Sequence, residues 1–191
     1  MSVQFKLDWE KTLAALTYLA SMNVPELSKG KLCKLLFLAD KYHLVRFGRP
    51  ITGDFYWAVD HGPIPSVVKD RLDRLEQNAD EELATLLNVD RSSIYPHFYA
   101  KYVFGPENLS KSDFMALDRA IAQFGNLTFT QLRRLTHDMP AYEKAWEQRP
   151  EDAKRAPMSF EDFFEKDNDA VTGAREEMLE NYIIEKLIAA R

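Results

Sequence analysis

The stretch from Ser28 to Asp70 constrains this chain more than any other. Leu32, Leu35, Leu36, Ala39, Tyr42 and His43 recur at the i, i+3, i+4, i+7 spacing that puts side chains on one face of a helix. Ser28 is suited to cap its start, and Gly48 tolerates the left-handed backbone past its end, where Pro50 forbids continuation. A sharp reversal follows. Thr52-Gly53-Asp54 signals a turn, and Phe55 to Val59 is a short aromatic, β-branched run suited to a strand. In His61-Gly62-Pro63-Ile64-Pro65 the prolines fix their own φ, so the segment has little conformational freedom to lose on folding. A stiff loop carrying Asp54, Tyr56, Trp57 and His61 between two helices can serve recognition or simply turn a corner; residue chemistry alone favours the corner.

The rest of the chain reads as helices around this corner. Asp8 caps a first helix that buries Trp9, Leu13, Leu16 and Ala20. Lys31, Lys34 and Lys41 are expected on a different face of the second helix from its apolar stripe. A third helix starts near Pro65 and uses Val68, Leu72 and Leu75. Arg91 to Phe104 is rich in aromatics and broken by Pro96, which suits a strand paired with Phe55–Val59. Ser110-x-x-Asp113 and Thr128-x-x-Gln131 are capping boxes, Pro140 restarts a helix, and Met158-Ser159-x-x-Asp162-Phe163 repeats the cap pattern. Asp167 to Gly173 reads as a polar loop and Ala174 to Arg191 as a final amphipathic helix. The expected fold class is mainly α (α+β): six to eight helices with a small antiparallel β element. The expected division is residues 1–158 as the helical domain and 159–191 as an acidic helical segment, packed on it or facing a partner.

Composition excludes several classes. Apolar residues make up 46% of the 191, enough for a real core. The net charge of −5 gives no global footprint for nucleic acid. A single cysteine, Cys33, fits a reducing compartment and reads as a buried, inert thiol. With no signal peptide pattern and no long apolar run, the expected location is the cytoplasm, away from membranes. Charge is uneven all the same. Residues 28–50 hold six cations against Asp40, and residues 159–191 hold nine acids against four bases. These runs read as solvated helix faces, as two segments packed on each other, or as one segment facing a partner of opposite charge.

Catalytic signatures are absent. Seven dispersed glycines exclude phosphate loops and dinucleotide fingerprints, and the four histidines lack metal-ligand spacing. A zinc site would have to be assembled from His61, His137 and Asp54. No serine lies in a nucleophile elbow. His61 and His137 read more simply as loop-fixing donors or interface contacts, and His43 as a core-edge residue. No cofactor is implied.

Leu32-x-Lys34-Leu35-Leu36-Phe37-Leu38-Ala39-Asp40, then Gly48-Arg49-Pro50-Ile51-Thr52-Gly53-Asp54, then His61-Gly62-Pro63-Ile64-Pro65-Ser66 resemble the core signature of the Panacea domain, the SocA-like antitoxin domain of bacterial and phage toxin–antitoxin systems. Phe124-Gly125 through Leu132, Leu135, Thr136, His137 and Pro140 resemble its second motif. Two departures stand out. Phe37 stands where Tyr is frequent, and Pro140-Ala141-Tyr142 replaces a Pro-Trp pair, which bears on partner choice.

The resemblance implies a non-enzymatic antitoxin that neutralises a cognate toxin by direct contact, and in the SocA branch delivers it to a cellular protease. The expected partner-binding residues are Asp54, Tyr56, Trp57, His61, Gly62, Pro63, His137 and Tyr182. The C-terminal helix and Ile94–Phe104 are expected to set partner identity; a homodimer is left open. Two alternatives stand beside this. One is a metal-dependent or His-based hydrolase at the His61 and His137 loops. The other is a DNA-binding autoregulator using Thr128–His137 with Arg133 and Arg134, which has few base-reading side chains.

Overall fold

A computed structural model describes residues 3–164 and 169–189. Among them are eight α-helices, with α2 at the centre, and two small antiparallel sheets at the periphery. None of these helices is long and apolar enough to cross a membrane.

Helix α1 spans Trp9–Ser21, capped by Asp8, whose carboxylate accepts from Lys11 N. Helix α2, Lys29–Phe47, is the axis. Ser28 caps it, and Gly48 ends it with φ of 66°. The expected single buried stripe falls short of what forms. Residues 31–40 of α2 are buried on every side, including Lys31, Cys33, Lys34 and Asp40. Because α1, α3, α5, α6 and α8 all pack on α2, no side of its centre is left for solvent, and Lys31 and Lys34 leave the solvent face expected for them. His43, expected at the core edge, is fully buried.

Strand β1, Tyr56–Val59, forms a hairpin with β2, Gly62–Pro65. The expected pairing of this strand with the 91–104 segment does not occur. Instead β1 is flanked by β2 and by β5, Arg155–Pro157, in the order β2-β1-β5. The prolines explain why β2 can serve as a strand. Pro63 and Pro65 are two apart, so the pleat turns both missing N–H groups to the open edge while Gly62 and Ile64 face β1. The 87–100 region pairs with itself, β3 (Leu87–Asp90) against β4 (His97–Ala100), and is held to the start of α2 by the Ser28–His97 bridge.

Helices α3 (Ser66–Glu76) and α4 (Glu81–Leu86) lie between these sheets in sequence. Helices α5 (Lys111–Phe124) and α6 (Phe129–His137) begin with complete capping boxes, each stabilising by about 1 kcal/mol. Helix α7 is Pro140–Glu147. The cap expected at Ser159 gives a 3-10 turn, Phe160–Phe163, which inserts Phe160 and Phe163 into the core with no side-chain cap bond. The last helix, α8, is Asp169–Ala189, so residues 169–173 are helical where a loop was expected. Residues 167–168 and 190–191, also covered by those expectations, lie outside the described residues.

One buried carboxylate ties α2 to the corner. Asp40 Oδ1 accepts from Ile51 N (2.8 Å) and Thr52 N (3.1 Å), and Oδ2 from Thr52 Oγ1 and from Tyr56 OH (2.8 Å). Burial pushes its carboxyl up, against the pull of those donors. Next to it, Gly53 has φ of 69°, and a Cβ there would stand 2.2 Å from Lys6 O, so the N-terminal segment can cross only over a glycine.

Tyr56→Phe removes one donor and leaves the carboxylate short of a partner, at an expected cost of about 1–3 kcal/mol. Asp40→Ala strands all four donors and should cost more. Urea unfolding of both variants reads this order directly.

Candidate functional site

The eight residues singled out in the sequence fall into four places. Asp54 and Tyr56 are buried beside Asp40. Asp54 accepts from Val67 N (3.1 Å) and Val68 N (2.9 Å), so it caps α3 from outside the helix, where Pro65 at the cap position offers no side-chain bond. Burial raises its carboxyl, opposed by these amides. Both residues build the corner and present no surface.

His61, Gly62, Pro63 and His137 come together at the hairpin turn. His61 is exposed at the tip, with Nδ1 3.3 Å from Asp60 Oδ2. Gly62 has φ of 95°, and a Cβ there would stand 2.5 Å from Lys34 Nζ and 3.0 Å from Thr136 Oγ1. The hairpin can therefore lie against α2 and α6 only with glycine at this point. Lys34 Nζ donates to Pro63 O at 3.5 Å and lies 5.8 Å from the Phe129 ring. His137 stacks on Tyr142 at 4.4 Å, and its Nε2 is buried with no hydrogen-bond partner. Burial, with Arg133 and Lys34 nearby, lowers the His137 pKa. Arg133 ties α6 to the turn through Asp60 O (3.1 Å) and Asp60 Oδ2 (3.5 Å), and Tyr142 OH donates to Val59 O (2.9 Å).

Trp57 faces the other way, half-buried on the outer side of the sheet. Its Nε1 donates to Ser66 Oγ at 3.2 Å and Arg155 lies over its ring at 4.2 Å. Tyr182 is apart from all of these on α8, with Lys186 over its ring at 5.4 Å. Among the described residues no group of three His, Cys, Asp or Glu is placed to hold a metal ion.

Lys34, Arg133 and Tyr142 were named in the sequence for other reasons and not as site residues, yet they complete the hairpin cluster. The available signal was a lysine inside the apolar run Leu32–Ala39. A cation at such a position must find oxygen ligands or lose its proton. Lys34 is 1% exposed with one long hydrogen bond, and burial pulls its pKa down to about 8. Cys33 beside it is held as a thiol, pushed up to about 12 by burial.

Several cations of residues 28–50 are engaged within the fold. Lys29 pairs with Asp73 (2.6 Å) and Glu76, Lys31 donates to Pro25 O, and Arg49 lies 3.6 Å from Asp113. Asp113 also accepts from Lys11 (2.8 Å) and faces His43 Nε2 (3.1 Å), and these partners hold its carboxyl far below the usual range against the cost of burial.

Lys34 makes a testable contribution to stability. Its folded pKa lies below the ordinary 10.5, so from about pH 8 to 10.5 the unfolded chain binds the extra proton and stability rises with pH. Above pH 9 Cys33 acts in the opposite sense. Lys34→Met is expected to be more stable than wild type at pH 7, by about 1–4 kcal/mol. The gap should narrow as pH rises past 8. Urea unfolding of the two proteins at matched pH values measures it.

The family model described as "Antitoxin SocA-like, Panacea domain" matches residues 32–147, more than half of the chain, from the first turn of α2 to the end of α7. No curated protein and no solved structure matches. The resemblance seen in the α2–hairpin signature is thus shown at the level of the whole domain, and the chain belongs to the SocA-like antitoxin family through its Panacea domain.

Proposed function

We propose that this protein neutralises a cognate toxin by direct, stoichiometric contact, and that the outer side of α8 makes that contact. The antitoxin character rests on family membership. The observation that carries the assignment to α8 is its exposed apolar face. Leu179 is 46% exposed, Ile183 54%, Ile184 53%, Leu187 64% and Ile188 69%. Five aliphatic side chains along one helix side, unlike scattered ones, mark an interaction face. Glu176, Glu177 and Glu180 share the exposed side, so the fitting partner groove is apolar with a basic rim. The inner side of α8 is anchored by buried Ala174 and Met178 and by Asn181 Nδ2 donating to Gly48 O at 3.2 Å. Of segment 159–191, Phe160 and Phe163 belong to the core, and α8 is in this reading the partner-facing part.

The motif residues have a different role: they hold the helices that present α8. No group in this account has to react, so the protein acts without catalysis. The Ile94–Tyr95 tip of the β3–β4 hairpin, 93% and 73% exposed, is a second apolar site. It lies at the start of α2, whereas α8 is anchored by Asn181 at the other end of that 19-residue helix. The tip suits a second contact, such as one with the protease implied for the SocA branch. The DNA-binding reading draws no support from α6, where Arg133 is already engaged by Asp60.

Deleting Ala174–Arg191 would expose the core beneath Ala174 and Met178, so point substitution is the cleaner test. Ile183→Asp with Leu187→Asp is expected to leave the circular dichroism melt unchanged. When co-expressed with the toxin encoded by the neighbouring reading frame, it should fail to restore growth. Full rescue by this variant would refute the α8 assignment.

A further inference from the structure

The hairpin cluster holds a buried charge that the protein does not pair. Lys34 is 1% exposed, and its ammonium makes one long hydrogen bond, 3.5 Å to Pro63 O. No carboxylate among the described residues forms an ion pair with it; the Phe129 ring, 5.8 Å away, is its other polarisable neighbour. An ammonium carries three donors, so two are unmet, and a buried cation in that state is costly. In the same cluster His137 Nε2 and Arg133 Nε are buried with no hydrogen-bond partner. Buried polar groups left over in this way ordinarily have water or an ion to meet them.

Lys34 and His137 come together at one place. A Cβ on Gly62 would lie 2.5 Å from Lys34 Nζ and 3.1 Å from His137 Cδ2, the carbon bonded to Nε2. The imidazole is held in position by its stack on Tyr142, 4.4 Å away and 25° from parallel. Thr136 Oγ1, the third group at that place, donates back to Leu132 O at 2.8 Å. The charge here is one-sided. Arg133 and Lys34 both press on His137 as like charges, and Asp60 and Asp138 are the acids that oppose them. Asp60 has a side chain 72% exposed and already engages Arg133, and Asp138 is exposed. Cys33, next to Lys34, is held as a neutral thiol. With Arg133 and Asp60 offsetting each other, one positive charge remains.

We infer that Lys34 Nζ and the Nε2–H of His137 bind a small monovalent anion between the β1–β2 hairpin and α6. Water would meet the free N–H groups and leave the buried charge unpaired; an anion does both. Its single charge matches the one left over, and the enclosure of Lys34 favours a monatomic ion of the chloride kind over a larger oxyanion. Asp60 and His61 at the tip are solvent-exposed, so local opening of the turn gives the ion its way in. Bound there, the ion favours the charged ammonium, so anion binding and protonation of Lys34 reinforce each other. It fastens the hairpin to α2 and α6 and stands independently of the toxin contact proposed for α8.

Urea unfolding of the full chain at pH 7, with chloride exchanged for the bulkier gluconate at constant ionic strength, tests this. Wild type should gain stability with chloride, its folding constant rising by up to about tenfold for each tenfold of chloride above the dissociation constant. Lys34→Met should show no such gain, so its advantage over wild type should be largest in gluconate and shrink as chloride is added. His137→Phe keeps a ring against Tyr142 and loses the donor, so the same effect should need about tenfold more chloride. The wild-type effect should fade as the pH is raised past about 8 and Lys34 loses its proton. The chlorine NMR line gives a second reading on folded wild type alone: the protein should broaden it at pH 7 and release it as the pH rises past that point. A stability indifferent to the exchange of anions overturns the proposal. An equal gain in Lys34→Met, the mark of a general salt effect, overturns it as well, and so does a chlorine line that wild type leaves unbroadened.

Discussion

Asp40 is the point on which the architecture turns. A carboxylate buried in the middle of the central helix is costly unless its oxygens are met by donors. Here the donors are two backbone amides, a threonine hydroxyl and the Tyr56 phenol, all from residues 51–56. The charge thereby selects one path for the chain after α2. Once residues 51–56 are fixed, Asp54 is placed to cap α3, β1 is placed to pair on both edges, and Gly62 is brought onto Lys34 and α6. The corner is held by hydrogen bonds to specific atoms, which is why so many of its residues are turn or polar types.

Much of this was legible in the sequence because the signals were local. Ser28, Gly48, the Ser110 and Thr128 boxes and Pro140 mark helix ends by chemistry that acts within one turn, and each end appears where it was read. The strand pairing was not legible. Arg155–Pro157 is three residues long with no alternation, and it becomes a strand only because β1 has an open edge beside it. The burial of Lys31 and Lys34 was missed for a similar reason: helical periodicity describes two faces, and a helix packed on every side has no solvent face to detect.

The candidate site divides along the same line. Proline and glycine in the His61–Pro65 segment announced a stiff turn, and the turn is there. Local chemistry could not tell which members face outward. Asp54 and Tyr56 serve the interior, Trp57 and His61 look out on different sides of the hairpin, and Tyr182 belongs to a helix anchored at the far end of α2. The charge asymmetry resolves similarly. Lys29 and Arg49 meet carboxylates inside the fold, while Glu176, Glu177 and Glu180 remain on the exposed side of α8.

In the proposed division of roles, motif residues hold the structure and the outer helix meets the partner. Hydrogen exchange of the full chain with and without its toxin tests that division most directly. Added protection confined to the amides of residues 173–189, with the β1–β2 hairpin unchanged, is the predicted result. Protection centred on residues 60–65 and on the end of α6, with α8 unaffected, would contradict it.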